Sequence, residues 1–328
     1  GGAWRHRTQH TSWYNETLNT STRGSRKEFP AVAVIVADNS GGGTEHIRIY
    51  DADDPDMPLW MEFRNGLSYG ALPQGAAFSS VTAFNGSIVT GSTGGGMFVL
   101  NFITDTSYRY YSGSSFTGKW NGYLSLRNAT SSNGFEWDYG DTNVIANNNV
   151  NDVAMTVLPN APIDAATGLP VPTIAVATNG GVSVIKDDGT VVDSVSTNAS
   201  YDVVKTIEFD TDDNLIFGFR TYDADGHYAL RRVSIPSADG TYNFSITGDS
   251  ANNYGRTTAP RILNNTLSNN YAPHISSKPS QIAYGGNLAL NLINPSEEAK
   301  ANGLVCYVAS DYNTGWMNGD IKLATLSD

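Results

Sequence analysis

The chain has 328 residues, 40% hydrophobic and only 16% charged, with 33 glycines and a formal net charge of −12. A helical protein of this size needs many more Glu, Lys and Arg on its exposed faces, so the composition excludes a helical bundle and favours short strands joined by turns. The negative field repels phosphate backbones, and no apolar run is long enough for a helix to cross a bilayer, so neither nucleic-acid binding nor membrane insertion is expected.

Residues 1–30 read as a polar, basic lead-in ending at Pro30. Groups of strand-like segments follow, rich in β-branched and aromatic residues and separated by Gly, Asp, Asn and Pro. The first group comprises Ala31 to Ala37, His46 to Tyr50 and Leu59 to Phe63. The second comprises Ser80 to Phe84, Ser87 to Ser92, Gly96 to Phe102 and Ser107 to Tyr111. Asp152 to Leu158, Thr173 to Thr178, Val182 to Lys186 and Val191 to Val195 make the third. Val203 to Phe209, Leu215 to Arg220, Ala229 to Ile235 and Tyr242 to Ile246 make the fourth, and Gln281 to Tyr284, Leu288 to Ile293, Leu304 to Ala309 and Ile321 to Thr325 the fifth. Four strands per group with tight turns such as Asn85-Gly86 is the pattern of a β-propeller blade. The fold expected is therefore all-β: a propeller of four-stranded antiparallel blades over 31–328, five favoured and six or seven compatible. The segments 113–147 and 250–278 stand out as long insertions or degenerate blades, and the lead-in is a candidate closing strand for the last group.

Internal repetition supports this. Thr93-Gly94-Gly95-Gly96 lies over Thr178-Asn179-Gly180-Gly181 without gaps, at an offset of 85 residues. The opening strands of the same two groups are offset by 71, and the missing 14 residues match Pro159 to Pro172, which reads as a loop inserted between the first and second strands of the third group. The glycine pairs supply positive φ and room for close approach. No Lys-Ser/Thr follows either tetrad, so a phosphate-binding loop is not indicated.

Candidate chemistry is sparse. Asp51, Asp53, Asp54 and Asp56, then Asp210, Asp212 and Asp213, then Asp223 and Asp225 stand in alternating acidic turns. Such turns can wrap a calcium ion with oxygen ligands, though ordinary turn hydrogen bonding uses the same residues and none completes a twelve-residue calcium loop. Asp51, Asp53, Asp210, Asp212, Asp223 and Asp225 are the candidate Ca2+ ligands. Trp120, Tyr123, Trp137 and Tyr139 are candidate ligand-binding aromatics, suited to stacking on sugar rings. Glu136 and Asp138 among them are candidate acids for glycoside cleavage, but a spacing of two does not place two carboxyls across one bond. His6 and His10 lack a metalloprotease pattern, no nucleophile elbow is present, and Cys306 in LVCYVA reads as a core residue. No catalytic residue is assigned.

The segments WRHRTQHTSWYNETLNTSTRG with EFP, IYDADDPDMPLWM, NDVAMTVLP and PTIAVATNGGVSVIKDDGTVV resemble a propeller-like region of tail fibre and tailspike-type proteins of marine tailed phages. The resemblance touches most of the chain, with 113–147 and 195–275 matched weakly. It implies a non-enzymatic structural or adhesive module on a virion tail, outside any cell. The partners implied are other tail-appendage proteins or further copies of the chain, and a host-surface glycan or receptor. Similar proteins continue into lectin-like modules after a segment like DIKLATLSD, which implies an internal piece of a longer polypeptide. Two alternatives remain from the residues alone: a polysaccharide-degrading propeller enzyme, and a cellular secreted or surface-layer propeller.

Overall fold

The computed structural model describes residues 2–72, 75–132, 136–196, 203–220 and 228–242, with strands at 274–278, 281–285, 289–293 and 304–308. The chain divides into two compact units, Gly1–Asp193 and Ser194–Asp328. Among the described residues, apart from one short helix and single 3₁₀ turns, the regular structure is β, in five open sheets.

In the first unit, β1 (Ala33–Asp38), β2 (His46–Asp51) and β3 (Leu59–Arg64) form an antiparallel three-stranded sheet in chain order. The second sheet runs β4 (Phe78–Phe84), β5 (Ser87–Ser92), β6 (Gly96–Asn101), β7 (Thr106–Tyr110), β8 (Gly118–Trp120) and β9 (Trp137–Tyr139). The third begins β10 (Val150–Thr156), β11 (Thr173–Thr178), β12 (Gly181–Ile185) and β13 (Val191–Ser196). Local chemistry fixes these hairpins. Asn85 and Gly86 both take positive φ, 45° and 76°, so β4 turns into β5 through a two-residue hairpin whose twist matches its strands. The two aligned glycines, Gly96 and Gly181, each open the third strand of their sheet at positive φ.

The first-strand pairings share a further feature. Register shifts interrupt β4–β5 between Phe78 and Ser80, and β10–β11 between Val150 and Asp152, so each opening strand carries one bulged residue close to its start. The residues that follow the two bulges are joined, Ser80 Oγ donating to Asp152 Oδ1 at 2.7 Å.

Side-chain alternation distributes the core. Ile88 on β5 and Phe98 and Leu100 on β6 pack with Ile47, Ile49, Met61 and Phe63 of the first sheet. Val89 and Met97, pointing the other way, pack with Val150, Val153, Ile174 and Val176 of the third. The second sheet is thus buried on both faces along β5, which is why its apolar residues run continuously.

The lead-in is part of this core. After α1 (Gly2–Thr8), Trp13 inserts fully buried, its ring edge-on to Trp60 and Phe102 at 5.5 and 5.6 Å and its Nε1–H donating to the Phe102 carbonyl at 2.7 Å. Further along, Glu62 N donates to Thr22 O and Gly24 N to Trp60 O, so residues 22–24 line the outer edge of β3. Arg23 and Arg127 both reach Glu16, at 2.7 Å each, inside the unit. The sequence offered the last group as the partner of the lead-in; within the first unit it is β3 of the first sheet that takes it.

Two insertions resolve differently. Segment 113–147 is neither a bare loop nor another sheet: it supplies β8 and β9 and widens the second sheet to six strands. The segment Pro159 to Pro172 does lie between β10 and β11, closed by a bridge between Ile163 and Pro170 and pinned by Arg7, which donates to the Thr167 carbonyl.

In the second unit, β14 (Val204–Phe209), β15 (Leu215–Arg220) and β16 (Tyr228–Val233) form an antiparallel sheet with the same early bulge, between Val204 and Thr206. The fourth strand expected for this group, Tyr242 to Ile246, lies outside the described residues apart from Tyr242, which ends β17 (Gly240–Tyr242), a short strand paired in parallel with Ser194–Ser196 of β13. β18 (His274–Lys278), β19 (Gln281–Gly285), β20 (Ala289–Ile293) and β21 (Leu304–Val308) make a four-stranded antiparallel sheet. Its first strand falls in what the sequence assigned to the insertion 250–278, shifting the whole group one strand earlier. Cys306 lies on β21, and the expected strand Ile321 to Thr325 is outside the described residues.

Removing the Trp13 ring should cost about 3–5 kcal/mol, the range for truncating a buried large aromatic. Urea denaturation of Trp13→Ala followed by tryptophan fluorescence checks this; a midpoint equal to wild type would show that the lead-in is not part of the core.

Candidate functional site

Among the described residues, the outer half of the second sheet carries the most concentrated set of accessible aromatic rings. Register brings Arg109 (β7), Gly118 (β8) and Tyr139 (β9) into one row, and Ser107, Trp120 and Trp137 into a row two residues away on the same face. Gly118 has no side chain between Arg109 and Tyr139, and a Cβ there would meet the Asp138 carbonyl oxygen at 1.9 Å. The guanidinium therefore reaches across to the Tyr139 hydroxyl, while its Nε donates to the Gly95 carbonyl at 3.0 Å. It also lies over the rings of Tyr111, Phe98 and Phe116 at 4.5, 5.5 and 5.5 Å. Burial lowers the Arg109 pKa and raises that of Tyr139, their hydrogen bond opposing both shifts.

Around this cation the rings form a shelf. Trp137 and Tyr139, two apart on β9, stack with centroids 5.7 Å apart and planes 9° from parallel. Phe116 meets Tyr139 and Tyr111 edge-on at 5.8 and 5.3 Å. Phe116 is 48% exposed, and Trp137, Tyr139 and Tyr111 are half-buried, so their accessible parts are held by the sheet beneath them. The Trp137 Nε1–H is anchored on the Gly70 carbonyl at 3.3 Å. On the opposite face Tyr108 donates to Asp141 and packs on Tyr110, whose hydroxyl burial pushes up to about 12.

The four aromatics read from sequence part company here. Trp137 and Tyr139 belong to the shelf, and Tyr123 is 52% exposed on the neighbouring turn. Trp120 is 0% exposed and sits in the core between the first two sheets, so it cannot offer a ring face to a ligand. Its pairing opposite Trp137 made the two look equivalent in sequence, but β8 lies inside β9. Arg109, Tyr111 and Phe116 were missed; the TSYRYY run on β7 carried the signal, since alternation puts Arg109 on the Trp137 face. Glu136 and Asp138 are both exposed, and strand alternation turns Asp138 away from Trp137 and Tyr139.

The acidic turns are spanned by arginines. Arg26 Nη1 lies 2.9 Å from both Asp51 oxygens and 2.7 Å from Asp53 Oδ2, and Asp53 also accepts from the Ala31 and Val32 N–H groups. Arg232 pairs with Asp210 and Asp212 in the same manner, with the N–H groups of Asp212 and Asn214 on Asp210. A guanidinium thus stands where a cation was expected, and the remaining lone pairs serve their turns. Asp223 and Asp225 lie outside the described residues. Among the described residues no group of three or more His, Cys, Asp or Glu is placed to hold a metal ion. His6 lies on α1, where the sequence showed no helical pattern, and His10 lies beyond its end.

No protein-family model and no curated protein matches the chain. Among solved structures, it is similar to the computationally designed protein Ika8, at 9% identity and TM-score 0.31, over 81% of this chain and 82% of that one. It is also similar to the extracellular domain of a one component system from B. thetaiotaomicron, at 9% identity and TM-score 0.25, over 87% of this chain and 50% of that one. The extracellular domain of a hybrid two component system from the same organism matches at 10% identity and TM-score 0.24, over 89% of this chain and 47% of that one. Likenesses this weak carry no functional argument.

Several carboxylates are held below their ordinary range, which sets a pH dependence. The Ser40 hydroxyl and N–H, and then Arg48, pull Asp38 down to about 2; the Ala31 N–H and Arg26 lower Asp53. Burial opposes ionisation of Glu62 and Asp210, but Arg48, Arg64 and His46 outweigh it at Glu62, and the Asn214 and Asp212 N–H groups with Arg232 outweigh it at Asp210, so both are lowered. A depressed carboxylate contributes stability that is present above its unfolded pKa of about 4 and lost as pH falls through the folded value. Glu16, pushed up chiefly by burial, acts in the opposite sense but is one group against eight, since Glu28, Asp141, Asp164 and Asp188 are lowered as well. The urea midpoint should therefore fall between pH 4 and pH 2; a midpoint constant over that window would contradict these pairings.

Proposed function

We propose that the chain is a non-enzymatic adhesive module of a phage tail fibre or tailspike, and that it binds a host-surface glycan on the Trp137–Tyr139–Phe116 shelf. The carrying observation is the shelf itself: stacked, half-exposed rings on a rigid strand, with an exposed third ring at right angles. Sugar rings present C–H faces that pack on aromatic faces, while their hydroxyls stay at the polar rim. Preorganisation by the Arg109 network removes the entropy cost of ordering the rings on binding.

The scaffold we propose for it is a β-propeller with the five sheets as blades. Three features support this. The sheets are consecutive meanders, apart from the parallel addition of β17. In the first unit β1 packs beside β4 and β4 beside β10, so the opening strands of successive sheets are neighbours. The early bulge recurs on β4, β10 and β14. The tail-fibre setting, an extracellular virion location and assembly with other appendage proteins or further copies rest on the sequence resemblance.

Binding of the purified chain to immobilised host-surface polysaccharide tests the reading. Phe116→Ala and Trp137→Ala, checked for intact folding by circular dichroism, should each weaken binding about tenfold, equivalent to about 1.4 kcal/mol. The polysaccharide should keep its length on incubation. Binding unchanged in both variants would remove the shelf as the site; shortening of the polymer would replace adhesion with hydrolysis.

A further inference from the structure

The acidic turns at Asp51–Asp53 and Asp210–Asp212, which looked like cation sites, are neutralised by arginines, but a different corner of the first sheet is not. Glu45 and Asn65 stand directly opposite each other where the β2–β3 ladder ends, Asn65 N donating to the Glu45 carbonyl at 2.8 Å. They continue the inward rows Ile47, Ile49 and Phe63, Met61, so both side chains belong to the buried face. Glu45 is 8% exposed and Asn65 0%. Glu45 Oε2 and Asn65 Oδ1 are each fully buried with no hydrogen-bond partner. The orientation of the amide is fixed, because Asn65 Nδ2 donates at 2.6 Å to the Ala76 carbonyl, which can only accept.

Two lone-pair acceptors therefore face the interior from opposed positions, whose Cβ atoms lie about 4.5–5.5 Å apart in such a pair. The cationic side chains of this sheet are on its other face: Arg48 and Arg64 are both engaged with Glu62. Among the described residues no ion pair reaches Glu45. The adjoining turn brings a main-chain oxygen beside the residue that follows Asn65. Gly42 and Gly43 take φ of +61° and +121°, and the Gly43 carbonyl oxygen lies 3.5 Å from where a Cβ of Gly66 would stand.

We propose that Glu45 and Asn65 form a site for a hard divalent cation of the calcium type, completed by main-chain oxygens of the glycine turn. The donors are all oxygen, which selects hard cations over zinc or copper. One carboxylate with neutral oxygens is a low charge count, so the expected dissociation constant is about 0.1–1 mM, the range of extracellular calcium modules. Such an ion ties the turn before β2 to the end of β3 and so to the segment leading into the second sheet.

Equilibrium dialysis with calcium alone, paired with thermal unfolding in calcium and in chelator, tests this. The wild-type chain should bind calcium in the sub-millimolar to millimolar range and melt higher in its presence. Glu45→Gln should bind one calcium fewer per chain and lose the melting shift, whereas Asp53→Asn should keep both. Asn65→Asp adds a carboxylate at the same point and should tighten binding about tenfold, which decides the matter if Glu45→Gln fails to fold. No calcium binding by wild type, or calcium binding and melting shifts indifferent to both substitutions, would overturn the proposal.

Discussion

The first unit depends on one constraint: the β5–β6 hairpin has no solvent face. Ile88, Phe98 and Leu100 point into one core and Val89 and Met97 into another, so a slip of a single residue would exchange the side chains of two cores at once. The turns on either side hold that register. Asn85-Gly86 closes the hairpin into β5, and Gly96 starts β6 at a point where a Cβ would strike the Tyr110 carbonyl at 2.3 Å. Close approach continues toward the third sheet, where a Cβ on Gly91 would meet Val150 Cγ1 at 2.4 Å.

Charge is handled by local pairing in the same spirit. Arg26 and Arg232 each bracket an acidic turn, and Arg23 and Arg127 converge on Glu16 beneath the lead-in. Burial draws Arg23 down to about 10, and its ring partner Trp60 lies 4.5 Å below the guanidinium. Breaking such a buried pair strands the other charge, which makes the pairing a specification of where residues 16–23 must lie more than a source of net stability. The lead-in is thereby held by an indole inserted into the core and by a backbone edge and a charge pair around it.

Much of the strand pattern was legible because period-two alternation and Gly/Asn turns are local. The boundaries of β5 and β11 follow from SIVTGS and TIAVAT read alone, those of β2 and β12 fall within one residue of HIRIY and VSVIK, and the glycine alignment correctly located the 159–172 insertion. What failed required knowledge of a partner. Gly240 and Thr241 precede the segment read as a strand, and only tertiary packing brings them alongside β13 in parallel. The shelf was half legible. Trp137 and Tyr139 announce themselves as aromatic, but whether Trp120 faces solvent depends on β9 lying outside β8, and Arg109 gains its meaning from the empty position at Gly118. The acidic turns were read as turns or as ligands; their arginines, Arg26 and Arg232, lie about 20 or more residues away along the chain, beyond any local motif.

The two extra strands of the second sheet have an evolutionary consequence. Each ladder step spans about 4.8 Å, so β8 and β9 set the shelf about 10 Å farther out than β7. Their segment leaves and rejoins the sheet beyond β7, so the β5–β6 hairpin does not depend on its length. A lineage can therefore vary the exposed positions of that stretch, Phe116, Lys119, Glu136 and Asp138 among them, and so change the outer surface, while Trp120, Leu124 and Arg127 within it stay fixed as parts of the interior.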